Sequence, residues 1–117
     1  FVLCPDGLRT TCVVDGDTFW LGGEKIRIAD INAPETHAAA CPGEQARGEA
    51  ATRRLIALLN AGPFDLEAGL RDRDRYGRLL RIVTRRGRSI GEALVAEGLA
   101  ERWQGRRGDW CGGASPG

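Results

Sequence analysis

The chain has 117 residues, enough for one domain with its own core, and we predict a single domain over residues 1–117. A hydrophobic fraction of 42% excludes a disordered chain, and no apolar run approaches the roughly 20 residues that cross a bilayer. The net charge of +1 gives no overall basic field, although 16 of the 17 basic residues are arginine, which binds phosphate through paired hydrogen bonds.

Three strand patterns come first along the chain. Residues 10–14 are β-branched and end at an Asp-Gly turn, and residues 18–21 continue as a second strand up to a Gly-Gly pair. Residues 25–31 give the third strand, with Ile26 and Ile28 facing inward and Arg27 outward, and this alternation is lost at Asp30. The spacing therefore predicts a three-stranded meander.

A helix follows over residues 43–61, where apolar side chains recur about every 3.6 residues until a Gly-Pro pair ends the run. The face that we predict to be buried carries Ala46, Ala50, Leu55, Leu58 and Leu59. Residues 64–68 and 79–84 give two more strands. Ser89 and Glu92 form a capping box for a short helix over residues 90–97.

This order of elements is that of an OB-fold. We predict a mainly β protein with helices (α+β), built as a five-stranded barrel with a helix between strands three and four and a short C-terminal helix. A ferredoxin-like sheet is the competing topology, but it needs a helix after the first strand, where the sequence offers none.

Four cysteines, at positions 4, 12, 41 and 111, indicate disulfides. None belongs to a C-x-x-C pair, so their spacing argues against structural zinc. Of three possible pairings we favour Cys4–Cys12 and Cys41–Cys111, with four reduced thiols as the alternative. Two disulfides are typical of an oxidising compartment, so we expect a secreted or periplasmic protein. The start at Phe1, without any methionine, is compatible with a cleaved export signal.

Acidic oxygens occur at two turns. Asp15 and Asp17 flank a glycine, and Asn32 and Glu35 straddle a proline after the third strand. Carboxylate oxygens are the ligands that hard divalent cations prefer, and the proline fixes the backbone that presents Glu35 to a cleft. Each turn alone has an ordinary interpretation, as a plain hairpin turn or a surface glutamate.

Arginines complete the pattern. Arg27 lies on the third strand, where we expect its side chain to face outward, and Arg75, Tyr76 and Arg78 lie in the turn before the fifth strand. Guanidinium groups bind phosphate bidentately, and an aromatic ring beside them suits a nucleotide. A surface arginine and a simple loop are the alternatives. Together, cation ligands, one carboxylate and two guanidinium groups predict a phosphate-ester substrate.

Four ordered runs connect this pattern to a known family. They are DGDT at 15–18, IRIADINAPE at 26–35, DRYGR at 74–78 and EALVAEGLA at 92–100. With Gly48 and Ala51 of the predicted helix, they make the sequence resemble the staphylococcal nuclease (thermonuclease-like) family over about residues 12–102. The resemblance implies a calcium-dependent, sequence-nonspecific endonuclease that hydrolyses DNA and RNA to 3′-phosphate products. We expect a monomer.

Position by position, the resemblance implies roles for eight residues. Asp17, Asn32 and the backbone carbonyl of Ala33 match the Ca²⁺ ligands. Arg27 and Arg78 match the arginines that bind the scissile phosphate, and Glu35 matches the catalytic carboxylate. Arg75 and Tyr76 match residues that contact a terminal phosphate.

Asn32 departs from the family pattern, which has an aspartate at this position. The amide keeps an oxygen but loses a negative charge, so we expect weaker Ca²⁺ binding unless Asp15 or Asp30 supplies the charge. An impaired ion site leaves a non-catalytic OB-fold module that binds nucleic acid or protein as the alternative function. Tyrosines that stack on bases are not evident, so Trp103 and Trp110 are the candidate stacking surfaces.

Overall fold

The computed structural model describes residues 1–105 and 108–111. Its elements run in chain order as β1 Cys12–Asp15, β2 Thr18–Leu21, β3 Glu24–Ile28, β4 Ile31–Asn32, α1 Pro42–Asn60, β5 Asp65–Arg73, β6 Leu79–Arg85, β7 Arg88–Ser89, α2 Ile90–Ala96 and β8 Glu101–Arg102. Positions 106–107 and 112–117 lie outside the described residues, so the domain extent of 1–117 stays a prediction.

The main sheet has the strand order of the predicted OB-fold. Strands β1, β2 and β3 pair antiparallel in sequence order, β3 pairs in parallel with β6, and β5 runs antiparallel to β6. The resulting order, β1-β2-β3-β6-β5, inserts the fifth long strand between the third and the fourth. The predicted fold class is therefore confirmed.

Local signals set most of the element boundaries. At the turn between β2 and β3, Gly22 and Gly23 adopt φ of 59° and 86°, which glycine reaches without strain. The Ser89 side chain caps α2 by accepting the Glu92 N–H at 3.1 Å. Strand β2 matches its prediction, whereas β1 begins two residues late and β5 extends to Arg73, through part of the stretch predicted as a turn.

The third predicted strand is wrong at its end. Residues 25–31 do not form one strand, because β3 stops at Ile28 and the chain turns off the main sheet at Ala29 and Asp30. The following strand, β4, instead pairs antiparallel with β8 and sets Asn32 opposite Glu101. The loss of alternation at Asp30 marks this break, but the sequence pattern could not show the new pairing, since β8 is distant in sequence.

Helix α1 begins and ends within one residue of its prediction, but part of its buried face is wrong. Leu55 and Leu59 are buried as expected, whereas Ala46 is exposed and Gly48 is buried in its place. The first half of α1 packs against the loop that carries Glu35. A Cβ at position 48 would lie 2.5 Å from the Glu35 carbonyl oxygen, so only glycine permits this contact.

One hydrophobic core joins the main sheet to both helices. Its buried members include Val13, Phe19, Ile26, Leu55 and Leu94. Three phenylalanine rings also meet at one edge of this core, with centroids 5.8 to 6.2 Å apart. Across the part of the chain that the structure describes, neither helix is long and apolar enough to cross a membrane.

Both favoured disulfides, Cys4–Cys12 and Cys41–Cys111, are present. All four thiols are used, so the alternative of reduced cysteines is wrong for this structure. Cys41 is the residue that precedes α1, and its bond holds the segment 108–111 beside the start of this helix.

Candidate active site

One open cleft of about 1080 Å³ contains nearly all of the predicted site residues. Seven of the eight line it: Asp17, Arg27, Asn32, Glu35, Arg75, Tyr76 and Arg78. The eighth, Ala33, is 1% exposed and lies behind the surface, where its N–H donates to Asp17 Oδ2 at 2.8 Å. The fold thus brings residues from distant parts of the sequence to one surface.

Asp17, at the turn between β1 and β2, is fixed by three neighbours. Its Oδ1 accepts the Thr18 hydroxyl at 2.9 Å, and its Oδ2 accepts the Ala33 N–H. The Arg27 guanidinium lies 3.5 Å from Oδ2, and the side chains of this ion pair are only 11% and 7% exposed. This carboxylate therefore has a defined orientation in the cleft.

Asp15, two residues earlier, is buried in the same turn and lines the same cleft. Its pKa is raised to about 9, first by burial and then by the negative charge of Asp17, a hydrogen bond with Asp17 and the charge of Glu35. Asp15 and Asp17 are therefore buried together, and the partly exposed Glu35 is near enough for its charge to act on Asp15. Such a cluster is stabilised by a cation, which would remove the mutual repulsion.

Asn32 presents an oxygen to the same region. The side chain is 1% exposed, its Nδ2 donates to Glu101 Oε1 at 3.2 Å, and its Oδ1 is buried without a hydrogen-bond partner. A buried polar atom without a partner costs free energy, and amide oxygens are ligands for hard cations. This orphaned oxygen, together with the carboxylates, fits a hard divalent cation.

The ligand set is incomplete without that amide. Among residues 1–105 and 108–111, no group of three or more His, Cys, Asp or Glu side chains is arranged to hold a metal by itself. Of the two aspartates expected to compensate for Asn32, only Asp15 lies in the cleft. Asp30 instead accepts the Ser89 hydroxyl at 2.6 Å at the start of α2.

The Glu35 loop is held by a residue that the sequence analysis missed. Glu44, buried in the first turn of α1, accepts the N–H groups of Glu35 and Ala40, both at 2.9 Å. A glutamate three residues after the N-cap was the available signal, because that spacing is typical of a capping box. Here the carboxylate reaches the preceding loop and fixes the backbone of Glu35.

The Arg27 side chain lies on the face of β3 opposite the buried Ile26 and Ile28 and lines the cleft, where it is anchored rather than free. It donates to the carbonyl oxygens of Ile28 and Ile31, the latter at 2.8 Å. Its guanidinium also lies 5.5 Å from the centre of the Trp103 ring, which is 45% exposed in the cleft. Trp110 lines a different, smaller cavity of about 450 Å³. Of the two candidate stacking surfaces, only Trp103 lies beside the predicted phosphate site.

The turn at 74–78 is organised by Asp74, which the sequence analysis did not single out. Its carboxylate accepts the N–H groups of Tyr76 and Arg78, both at 2.9 Å, and Arg78 Nε at 2.6 Å. Partial burial raises the pKa of Asp74, but these donors outweigh it and leave the pKa below its ordinary value. Tyr76 is 68% exposed, with the guanidinium groups of Arg75 and Arg78 at 4.9 and 5.4 Å from its ring centre.

Comparisons with known proteins point to one family. The sequence pattern of the family described as "Staphylococcal nuclease homologue" matches residues 25–109. Among proteins of Bacillus subtilis (strain 168), endonuclease YncB and the SPbeta prophage-derived endonuclease YokF are each 41% identical to this chain over 93 residues. Endonuclease YhcR of the same organism is 34% identical over 99 residues.

These similarities are confined to part of each relative. The aligned segments cover 74%, 74% and 75% of this chain, but 43%, 31% and 8% of YncB, YokF and YhcR respectively. The chain therefore spans less than half the length of each of these relatives.

Proposed function

Since the chain belongs to the family of staphylococcal nuclease homologues, we propose that it is a calcium-dependent, sequence-nonspecific endonuclease that hydrolyses DNA or RNA to 3′-phosphate products. The observation that carries this proposal is that Glu35, Arg27 and Arg78 line one cleft together with the acidic turn at residues 15–17. The endonuclease names of the three relatives support the same class of reaction, phosphodiester hydrolysis.

The two arginines bind and neutralise the scissile phosphate. Negative charge grows on the phosphate oxygens in the transition state, and fixed guanidinium donors stabilise it. Arg27 is held by two backbone carbonyls and Asp17, and Arg78 is held by Asp74, so neither has to be ordered when the substrate binds. Loss of one such donor lowers kcat by about 10²–10³.

Glu35 acts as the general base. Its carboxylate takes a proton from a water molecule as the water oxygen forms a bond to phosphorus. The bond from phosphorus to the 5′ oxygen breaks, the 5′ oxygen keeps the electron pair and takes a proton from solvent water, and the phosphate stays on the 3′ oxygen. A positioned base of this kind contributes about 10²–10⁴-fold to the rate.

The residues that would hold Ca²⁺ are Asp17, Asn32 and the backbone of Ala33, with Asp15 beside them. The buried and unpartnered Oδ1 of Asn32 supports this assignment. When bound, the cation supplies Lewis-acid stabilisation of a phosphate oxygen. Ligand carboxyl groups must be ionised to bind, so the raised pKa of Asp15 makes binding release a proton if Asp15 is a ligand.

A degradation assay tests the proposal. The chain is incubated with single-stranded DNA in millimolar Ca²⁺ or in EDTA, beside Glu35→Gln and the matched control Glu49→Gln, an exposed glutamate of α1. We expect Ca²⁺-dependent degradation with 3′-phosphate ends, a loss of about 10²-fold or more in Glu35→Gln and none in Glu49→Gln. DNA that shifts on a gel but stays intact would instead support the binding module.

We also propose a secreted or periplasmic location and a monomeric state. The location rests on the two disulfides, which persist in oxidising compartments. Cell fractionation tests the first, and size-exclusion chromatography with light scattering tests the second. Recovery of the chain in the cytoplasm with four reduced thiols would contradict the location.

A further inference from the structure

We propose that Glu101 is a positioning residue of the cation site: it orients the Asn32 amide and supplies the negative charge that Asn32 lacks. The inference rests on the calcium site proposed above and adds a residue outside the set that the family resemblance assigns. Its basis is the unexpected pairing of β4 with β8, which no local pattern in the sequence predicts.

The backbone places the two side chains in contact. Asn32 and Glu101 are directly opposite each other in the antiparallel β4–β8 pair. Side chains at such positions have Cβ atoms about 4.5–5.5 Å apart, and here Asn32 Nδ2 donates to Glu101 Oε1 at 3.2 Å. The contact is therefore imposed by strand register and is not a chance approach of two flexible side chains.

The chemistry of the pair determines which way the amide points. An ionised carboxylate only accepts hydrogen bonds, whereas the asparagine amide has a donating NH₂ and an accepting oxygen. Glu101 therefore requires the NH₂ to face β8, and the amide plane then fixes Oδ1 on the other side. Without Glu101, the amide loses the contact that distinguishes its two ends.

The oxygen fixed in this way lacks a partner. Asn32 is 1% exposed and lines the same cleft as Asp15 and Asp17, and its Oδ1 is buried without a hydrogen bond. A cation at this oxygen would satisfy it. The Glu101 carboxylate then lies one hydrogen bond behind a cation ligand, where such partners typically change metal affinity by about 10–100-fold.

Calcium affinity, measured by calorimetry without nucleic acid, tests the inference. We expect Glu101→Ala to weaken Ca²⁺ binding by about tenfold or more, and Glu101→Gln, which keeps an accepting oxygen but no charge, to weaken it by about threefold. The control Glu49→Ala removes an exposed glutamate of α1 and leaves affinity unchanged. Thermal melting in EDTA shows whether each variant is folded, and Glu101→Gln serves if Glu101→Ala is not.

Asn32→Asp separates this role from a merely structural one. In the native background its new carboxylate would face that of Glu101, so the added charge is offset by repulsion and affinity stays near that of the native chain. In Asn32→Asp combined with Glu101→Gln the repulsion is absent, and we expect binding about tenfold tighter than in Asn32→Asp alone. The two substitutions are thus strongly non-additive.

The inference is overturned if Glu101→Ala binds Ca²⁺ like the native chain, or if Asn32→Asp alone binds as tightly as the double variant. Both results leave the proposed nuclease in place, because the native chain would still bind Ca²⁺ and degrade DNA. A native chain that binds no Ca²⁺ overturns the calcium site and the role of Glu101 together.

Discussion

The acidic turn at 15–17 and the arginine turn at 74–78 face one cleft, yet they are built in opposite ways. Burial raises the pKa of Asp15 to about 9, and the neighbouring carboxyl groups of Asp17 and Glu35 add to this rise. Asp74 accepts three hydrogen bonds from its own turn, and its pKa is lowered despite partial burial. The surroundings therefore destabilise an ionised aspartate at the first turn and stabilise one at the second.

The two turns depend on the rest of the fold to different degrees. The acidic turn is held by contacts from other parts of the chain, including the Ala33 N–H and the Arg27 guanidinium. The arginine turn is held mainly by hydrogen bonds within residues 74–78. We therefore expect changes near the acidic turn to alter both stability and activity, and changes in the arginine turn to alter activity with little effect on stability.

The largest expected effect comes from the two arginines. Lysine cannot make the paired contacts of a guanidinium, so Arg27→Lys and Arg78→Lys should each lower kcat about 10²-fold. Only Arg27→Lys should also lower the free energy of unfolding, by about 1–2 kcal/mol, because it leaves the Ile28 and Ile31 carbonyls without their donor. Urea titrations measure the free energy of unfolding and steady-state kinetics measure kcat. The exposed Arg53→Lys is the control. Equal losses of stability in both variants would contradict the comparison.

Gly48→Ala tests the backbone behind Glu35. Its Cβ would lie 2.5 Å from the Glu35 carbonyl oxygen, so we expect a loss of about 1–3 kcal/mol in the free energy of unfolding and a lower kcat. Gly43→Ala in the same helix is the control, because its Cβ would meet no atom within 4 Å. A Gly48→Ala chain as stable as Gly43→Ala would show that the loop moves freely.

Asp15→Asn tests the charge cluster through pH. The folded-state pKa of Asp15, about 9, lies above its ordinary value of 3.8, so the native chain loses stability as pH rises between these values. The asparagine variant lacks this slope. In EDTA, its free energy of unfolding should be near the native value at pH 4 and exceed it by several kcal/mol at pH 8, because the native chain loses about 1 kcal/mol for each pH unit between the two pKa values. A constant difference across this range would contradict the pKa assignment.

Asp74→Asn should have the smallest effect on stability, and its pH dependence should be opposite to that of Asp15→Asn. The lowered pKa of Asp74 means that its contribution to stability is present above about pH 3.8 and is lost as pH falls through the lower folded-state pKa. The variant should therefore be less stable than the native chain at pH 7, by under about 1 kcal/mol for a partly exposed ion pair, and the difference should shrink below pH 3.8. Melting curves at pH 7 and pH 3 measure it.

Much of the fold followed from the sequence because its signals are local. The Gly-Gly turn, the capping box at Ser89 and the 3.6-residue period of α1 each act over a few residues, and their elements lie within about two residues of prediction. The motifs likewise identified seven residues that share the cleft.

Tertiary structure decided what those residues touch. Arg27 binds carbonyls at the end of β3 and beyond it, Glu44 reaches back to the Glu35 loop, and Glu101 meets Asn32 across strands 69 positions apart in sequence. The prediction that Ala46 is buried is wrong for the same reason, since the buried face of α1 depends on which loop packs against it. Composition and periodicity record the preferences of neighbouring residues, whereas such contacts exist only after the chain has closed on itself.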